Sequence, residues 1–497
     1  MGILQHMTNG LVQSLTIENL TALVLGVMVG TIFGAMPGLS ATMALAVLLP
    51  LTYGLTPTQG IIIMGAAYAG AMYGGSISAI LLNTPGTPAA AATCLDGHPM
   101  AKNGRASEAL GMAALASAIG GIVSTFALMV MAPLLARFAL SFTSVDYFLL
   151  AVLGLSIIIT ISEKSIIKGL ASGIFGLFLS TIGMDPIYGY TRFTFGLVQL
   201  RGGLPLVPVL IGLLSTSQLF SLAEHPDKKL LTVASTKGRF FPKKEDVKAC
   251  LPTILKSSVM GTVIGVVPGA GSSVATFLAY DNAKKSSKRK DEFGKGCIEG
   301  VAACEAANNA VSGGAMVPML TLGVPGSNTV AVMMGALMLH GLVPGPELFS
   351  KHAEVAYTFI MSLLPANLFM LAFGLIAAKY CANIIKCPNN ILLVVVMMLS
   401  IVGSFSVSNN IFNVYVMLVF GLIGYIFRKL DVDVVPMVLA FILGTIAEKG
   451  FRRALIANGG LSFAMFNKPI SIVLCLLVLV SFALPIINRK KGKKEKR

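Results

Sequence analysis

Residues 29–38 read VGTIFGAMPG, and residues 260–269 read MGTVIGVVPG. Gly30, Thr31, Gly34, Pro37 and Gly38 fall in step with Gly261, Thr262, Gly265, Pro268 and Gly269. Proline lacks a backbone donor and glycine permits tight turning, so each Pro-Gly pair predicts a break inside an apolar segment. Working outward from the breaks, the order of landmarks recurs. Gly74-Gly75 followed by Asn83-Thr84-Pro85-Gly86-Thr87-Pro88 parallels Gly313-Gly314 followed by Val324-Pro325-Gly326-Ser327-Asn328. Leu206-Val207-Pro208 parallels Val434-Val435-Pro436. Three matches in the same order predict a duplication, with residues 1–223 as first repeat, 224–250 as a basic linker, 251–488 as second repeat and 489–497 as a basic tail.

The medium that surrounds these repeats follows from composition. The 497 residues are 55% hydrophobic and 12% charged, with a mean hydropathy of +0.83. A soluble domain carries about 25% charge. Apolar runs at 20–36, 144–162, 165–183, 203–220, 353–378, 390–403, 411–427 and 469–487 approach the ~18–20 residues that span a bilayer. The expected fold class is an all-α polytopic membrane protein with roughly ten to twelve membrane segments, some of them discontinuous. An ordinary soluble enzyme and a nucleic-acid binder are both disfavoured.

The formal net charge is nevertheless +16. Twenty of the 37 Lys and Arg fall within 224–248, 284–295 and 489–497, and the first in the chain is Lys102. Basic blocks beside membrane helices mark the cytoplasmic side. That places the linker and the C-terminus in the cytoplasm and the charge-poor N-terminus outside. Residues 1–19 lack a basic n-region, so the N-terminus is expected to be retained. The two repeats then have opposite orientation, the build of many secondary transporters. Lys449, Arg452 and Arg453 fit poorly, because they fall outside.

The chemistry is expected at the breaks. Residues 251–267 and 269–283 are each shorter than a full span, and 251–283 reads as a re-entrant hairpin with its tip at Pro268, Gly269, Ala270, Gly271, Ser272 and Ser273. The equivalent is 20–55, with its tip at Pro37, Gly38, Ser40 and Thr42. A half-helix starting after such a break presents free N–H groups and a positive dipole end, which suits a carboxylate. Two short tilted helices joined by a capped turn are the other reading. The second breaks add Asn83, Thr84, Gly86 and Thr87 in one copy and Gly326, Ser327, Asn328 and Thr329 in the other. Unwound carbonyls and neutral oxygens there suit the anion or Na⁺; simple helix capping is the alternative.

Glu305, Asn308, Asn309 and Ser312 recur every three or four residues and share one helix face. A carboxyl inside a membrane segment is costly and marks a functional candidate. With Asn83 these four form the expected coupling-ion site, for Na⁺ or a proton; a structural hydrogen bond between packed helices is the alternative for Glu305. Asp96 and His98 are expected in a polar loop without chemistry. The seven Cys are scattered, with no CxxC, and read as small core residues. There is no Walker A motif, no HExxH and no Gly-x-Ser-x-Gly, so neither ATP hydrolysis nor another enzymatic activity is expected. The only metal expected is Na⁺, and no cofactor is expected beyond the coupling ion.

With Gly34-Ala35-Met36-Pro37-Gly38, Tyr73-Gly74-Gly75-Ser76, Asn83-Thr84-Pro85-Gly86-Thr87-Pro88, Pro268-Gly269-Ala270-Gly271 and Gly323-Val324-Pro325-Gly326-Ser327, the chain resembles the large membrane subunit of tripartite tricarboxylate transporters, the TctA family. The resemblance covers nearly the whole chain. It implies a multi-pass permease of the bacterial inner membrane that works with a small TctB-like membrane subunit and a periplasmic TctC-like solute-binding protein. It implies citrate or other di- and tricarboxylates as substrates, a Na⁺ or proton gradient as the driving force, and an elevator-like movement. An ion channel or passive anion pore built on the same repeats is the alternative function.

Overall fold

The computed structural model describes residues 2–36, 39–161, 165–185, 187–224, 241–269, 271–384 and 389–480. The chain is almost wholly helical. The first helices are α1 (Ile3–Ser14), α2 (Ile17–Ala35), α3 (Ala41–Leu51), α4 (Pro57–Leu82), α5 (Cys94–Lys102), α6 (Ala106–Ala139), α7 (Ser144–Ile161) and α8 (Ile166–Ser180). A small hairpin of β1 (Gly183–Met184) and β2 (Thr191–Arg192) follows, then α9 (Leu206–Leu210) and α10 (Ser217–Glu224) with a π-helical turn between them. Beyond the linker come α11 (Lys244–Val266), α12 (Gly271–Ser286), α13 (Ile298–Leu322), α14 (Asn328–Leu339), α15 (Pro346–Lys351) and α16 (Ala353–Ile384). The last helices are α17 (Asn389–Ser406), α18 (Ile411–Lys429) and α19 (Val435–Ala457). Among the described residues six helices are long and apolar enough to cross a membrane: α2, α4, α6, α11, α16 (over Ala353–Ile376) and α18. Shorter apolar helices accompany them. The protein is an all-α polytopic membrane protein.

The chain divides into two compact units, and each takes chain from both sides of the linker. Unit 1 is Met1–Leu134 with Ser221–Val407; unit 2 is Leu135–Phe220 with Ser408–Arg497. Of the linker expected at 224–250, residues 225–240 lie outside the described residues, and from Lys244 onward the chain is already α11. The tail 489–497 also lies outside them.

Unit 1 is built around α4 and α13. α4 is largely apolar all round and α13 adds one polar face, yet both are enclosed on every side. All residues from Gly60 to Leu82 and from Ile298 to Thr321 are buried. Glycine lets each receive a neighbour at backbone contact. A Cβ on Gly30 of α2 would lie 2.1 Å from the Ala67 carbonyl oxygen, and one on Gly34 would lie 2.3 Å from that of Ala71. On α11, a Cβ at Gly261 would lie 2.3 Å from the Ala307 oxygen. The approach is reciprocal: Gly74 sits against Thr31 and Gly314 against Thr262. Both threonines turn inward on their own helix, donating to Val27 and Ser258 at 2.8 Å each. Small residues at such crossings are what hold helices together where lipid offers no hydrophobic driving force.

The outer side of α11 carries Leu251, Leu255, Val259 and Val263, all exposed and spaced by one turn. A continuous apolar stripe of this length is suited to lipid chains. The arms of the expected hairpins are unequal. At 1.5 Å per residue, α2 and α11 are about 28 Å and 34 Å long and reach across a bilayer, whereas α3 is about 16 Å and does not. α11 begins earlier than its apolar run because Glu245 and Asp246 occupy its first turn, where they complement the helix dipole.

In unit 2, α19 packs along α7 and α8, and α18 packs along α9 and the π-helical turn. Gly176 of α8 meets the α19 backbone, where a Cβ would lie 2.2 Å from the Met437 oxygen. Asp185, just after β1, accepts from the N–H groups of Ile187 and Tyr188 and from Arg452 of α19. Arg192 of β2 makes a two-pronged contact with Glu448 of α19 at 2.7 and 3.1 Å.

Candidate functional site

All the expected breaks lie in unit 1. Pro37, Gly38 and Ala270 fall outside the described residues; their flanks are described. α3 starts at Ala41 with Ser40 as its cap, the serine oxygen accepting from the Met43 N–H at 3.2 Å. α14 starts at Asn328 in the same way, with Ser327 accepting from the Val330 N–H at 3.4 Å. Each cap satisfies one of the four N–H groups that a helix start leaves without an intrahelical partner. The remaining N–H groups of Ala41, Thr42, Asn328 and Thr329 point forward from the two helix starts. Neither first turn carries an acidic residue.

These two starts meet. The hydroxyls of Thr42 and Thr329 hydrogen-bond at 2.9 Å. Tyr68, enclosed in α4, brings its hydroxyl to within 3.5 Å of Ser327 Oγ. Each helix start carries roughly half a positive charge, and among the described residues neither first turn sets a carboxylate against it. A helix start of this kind can receive an anion through its backbone N–H groups.

The other two breaks adjoin the same helices. Gly269 at the second hairpin tip donates its N–H to the Gly326 carbonyl at 3.1 Å, and its φ of 79° needs glycine. Pro268 precedes it in the turn, and Gly271, Ser272 and Ser273 form the half-buried start of α12, which packs against the short turn Pro88–Ala91. Gly86 lies under Gly34, where a Cβ would stand 2.0 Å from the Gly34 oxygen. Thr87 caps the turn after it and is buried, and its Oγ1 has no partner. Asn83 and Gly323 close α4 and α13 in the left-handed conformation, at φ 55° and 68°. Asn83 is exposed there, and Thr84 bonds only the Leu82 carbonyl at 3.4 Å. The structure brings neither to the polar face of α13.

That face is fully enclosed. Glu305 is 0% exposed and accepts from Thr93 Oγ1 at 2.5 Å and Ser117 Oγ at 3.1 Å. Asn308 donates to the Met72 carbonyl of α4 at 3.1 Å, and Ser312 donates back to Asn309. Several polar atoms have no partner: Asn308 Oδ1, both polar atoms of Asn309, and Oδ1 of Asn367 on α16. Asn309 lies one turn beyond Glu305 and one turn before Gly313, on the side of α13 that meets Gly120 and Ser124 of α6. Asn367 reaches the same stretch of α6, where a Cβ on Gly121 would lie 1.9 Å from its Oδ1. A buried polar group without a partner costs about 1–3 kcal/mol. Amide and hydroxyl oxygens beside one carboxylate form a hard donor set, which fits Na⁺ or water rather than a transition metal. Among the described residues no three His, Cys, Asp or Glu come together.

Sequence reasoning missed Tyr68, Thr93, Ser117 and Asn367, which look like ordinary members of apolar helices. It also placed Asp96 in a loop. The residue is on α5, 1% exposed, and its Oδ1 accepts the N–H groups of Gly294, Gly296 and Cys297 at 2.8–2.9 Å. The signal was the Gly294-Lys295-Gly296 spacing, since both glycines have positive φ and aim the amides of Gly294, Gly296 and Cys297 inward as a nest.

Comparison with known proteins agrees with this architecture. The Tripartite tricarboxylate transporter TctA family pattern matches residues 20–439. An uncharacterised 52.8 kDa protein in the TAR-I ttuC' 3' region of Agrobacterium vitis is 33% identical over 496 residues, covering 100% of this chain and 99% of its own length. An uncharacterised protein in the TAR-II ttuC' 3' region of the same organism is 33% identical over 235 residues, covering 47% of this chain and 97% of its own. The match extends from α2 into α19 and includes every break described above, and this chain therefore belongs to the tripartite tricarboxylate transporter TctA family.

Proposed function

We propose that this chain is the translocating subunit of a secondary-active importer of carboxylates, citrate or other di- and tricarboxylates. The observation that carries the reading is the Thr42–Thr329 contact, which joins two broken-helix N-termini at one point. A substrate carboxylate would replace the water that those N–H groups otherwise bind, and the capping serines and Tyr68 would orient it. Backbone donors recognise charge and shape, so identity is left to a periplasmic solute-binding protein that delivers the substrate. A small membrane subunit completes the assembly in the bacterial inner membrane.

The driving force is a Na⁺ or proton gradient, and Glu305 is the group that couples to it. Its support is the enclosed carboxylate with orphaned oxygens of Asn308, Asn309 and Asn367 nearby on the same packed helices. The matched seams of α2 with α4 and α11 with α13 support two repeats, 1–223 and 251–488, and the basic blocks at 224–248 and 284–295 support their inverted orientation. Movement of the hairpin-bearing unit in an elevator-like manner would carry the site across.

Reconstitution tests this. The chain, its small membrane subunit and its binding protein are placed in liposomes, and labelled di- or tricarboxylates are offered under an imposed Na⁺ or pH gradient. Accumulation above equilibrium that requires the gradient is expected. Simple equilibration would replace the importer with a passive pore.

A further inference from the structure

The segment between α8 and α9, built on the β1–β2 hairpin, carries an unusual outward surface. Phe195 is 83% exposed and Tyr188 is 68% exposed, with Tyr190, Phe193, Leu197 and Val198 exposed beside them. These side chains are held out by a firm base. Asp185 takes two backbone N–H groups and Arg452, and Arg192 pairs with Glu448. Tyr188 and Tyr190 stack with ring centroids 6.3 Å apart and planes 9° from parallel. Phe193 and Phe195 sit at φ of 53° and 49°, a backbone state that bulky residues rarely adopt. Strain of this kind persists only where the surrounding structure imposes it.

The neighbourhood indicates what covers this surface. Ile167, Leu170, Ile174 and Phe178 form an exposed apolar stripe along α8 at spacings of three and four, a face suited to lipid chains. The stripe runs directly into the hairpin, since Phe178 and Phe193 have ring centroids 5.2 Å apart. The hairpin therefore stands at the end of an apolar helix, the place where a membrane-embedded helix meets the boundary between hydrocarbon and headgroups. Tyrosine favours that boundary because one end of the ring is apolar and the other wet. The charges at the base are mutually paired, so Arg192, Arg452, Asp185 and Glu448 offer no net attraction to a charged protein partner.

We propose that residues 187–198 form a membrane-interface foot, with its aromatic side chains seated in the phospholipid headgroup boundary. The foot fixes the depth and tilt of the α8 end of unit 2 in the bilayer.

The chain has no tryptophan, so one introduced indole reports without background. Phe195→Trp is reconstituted as the full chain in phosphatidylcholine vesicles, some brominated high and some low on the acyl chains. Phe126→Trp, at an exposed site within α6, serves as the deep reference. Blue-shifted emission from Phe195→Trp is expected, quenched at least twofold more by the high bromines than by the low ones, with the reverse order for Phe126→Trp. Water-like emission, quenched by acrylamide and untouched by bromine, would overturn the proposal. Sheltered emission that neither quencher reaches would also overturn it, in favour of a protein cover. Tyr190→Trp gives the same readout if Phe195→Trp does not fold.

Discussion

Thr42 and Thr329 are 287 positions apart in the chain, yet their hydroxyls hydrogen-bond at 2.9 Å and tie together the starts of α3 and α14. Each threonine lies one position inside its helix, immediately after a break. Replacing either by valine keeps the shape and removes the hydroxyl. A hydrogen bond of this kind contributes about 0.5–1.5 kcal/mol, so Thr42→Val and Thr329→Val should each lower initial uptake roughly three- to tenfold. The double variant should be little worse than either single, because both remove the same contact. Additive losses in the uptake assay would show that the two hydroxyls act separately.

Glu305→Gln should retain the fold, since its one amide oxygen still accepts from one of the Thr93 and Ser117 hydroxyls and its NH2 group can donate to the oxygen of the other. It should lose the dependence of uptake on the imposed ion gradient, with transport down on the order of a hundredfold if the charge is what the coupling ion needs. Uptake measured across a series of Na⁺ concentrations and pH values decides this. A wild-type response to both would leave Glu305 as a packing contact.

The glycine seams give a stability prediction. Gly30→Ala and Gly261→Ala place a methyl within 2.1 and 2.3 Å of a backbone oxygen, and should destabilise the protein by about 1–3 kcal/mol each. Gly54→Ala, with nothing within 4 Å of its Cβ, is the matched control. Thermal unfolding in detergent should show a lower midpoint for the first two and an unchanged one for the control.

Asp96→Asn replaces a carboxylate that accepts three N–H groups in the nest ahead of α13. Charge-assisted bonds contribute about 1.5–3 kcal/mol, so a comparable loss of stability is expected. Wild-type unfolding behaviour would mean that the nest holds equally well around a neutral amide.

Asp185 gives a pH prediction. Burial pushes its carboxyl up, but the Tyr188 N–H, Arg452 and the Ile187 N–H outweigh this and hold it well below the usual carboxylate range. A depressed carboxyl contributes stability above its unfolded value near ~3.9 and loses it as pH falls below that. Limited proteolysis within residues 187–198 should therefore be flat from neutrality down to about pH 4 and rise in stronger acid. Asp185→Asn should be cut readily at every pH.

The sequence reveals those features of the site that depend on backbone chemistry. Pro-Gly pairs, serine caps and the Asn83 and Gly323 turns were legible because proline, glycine and cap residues act locally. Tyr68 was not, because nothing distinguishes an aromatic in an all-apolar helix until its partner Ser327 is brought beside it by the fold. The buried pairing of Glu305 was half legible. Its cost was evident from a single carboxyl in an apolar run, whereas Thr93 and Ser117 lie 212 and 188 positions away. Asp96 was misplaced because Gly97 and Pro99 beside it read as loop formers, although α5 accommodates both. Arg452, one of the three basic residues that fit poorly outside, is likewise a tertiary matter, since it pairs with Asp185 and Glu448.

The division of the chain between two compact units bears on how it is made. Unit 1 needs residues on both sides of the linker and cannot close until the ribosome has passed residue 407; unit 2 needs residues beyond that. Translation at about 5–20 residues per second leaves the first half of the chain inserted for some seconds without α13 and α14, against which α4 and α3 pack in the finished unit. A chain ending near residue 223 would contain part of each unit and the whole of neither. Separately synthesised halves would have to find each other in the membrane before either unit could form.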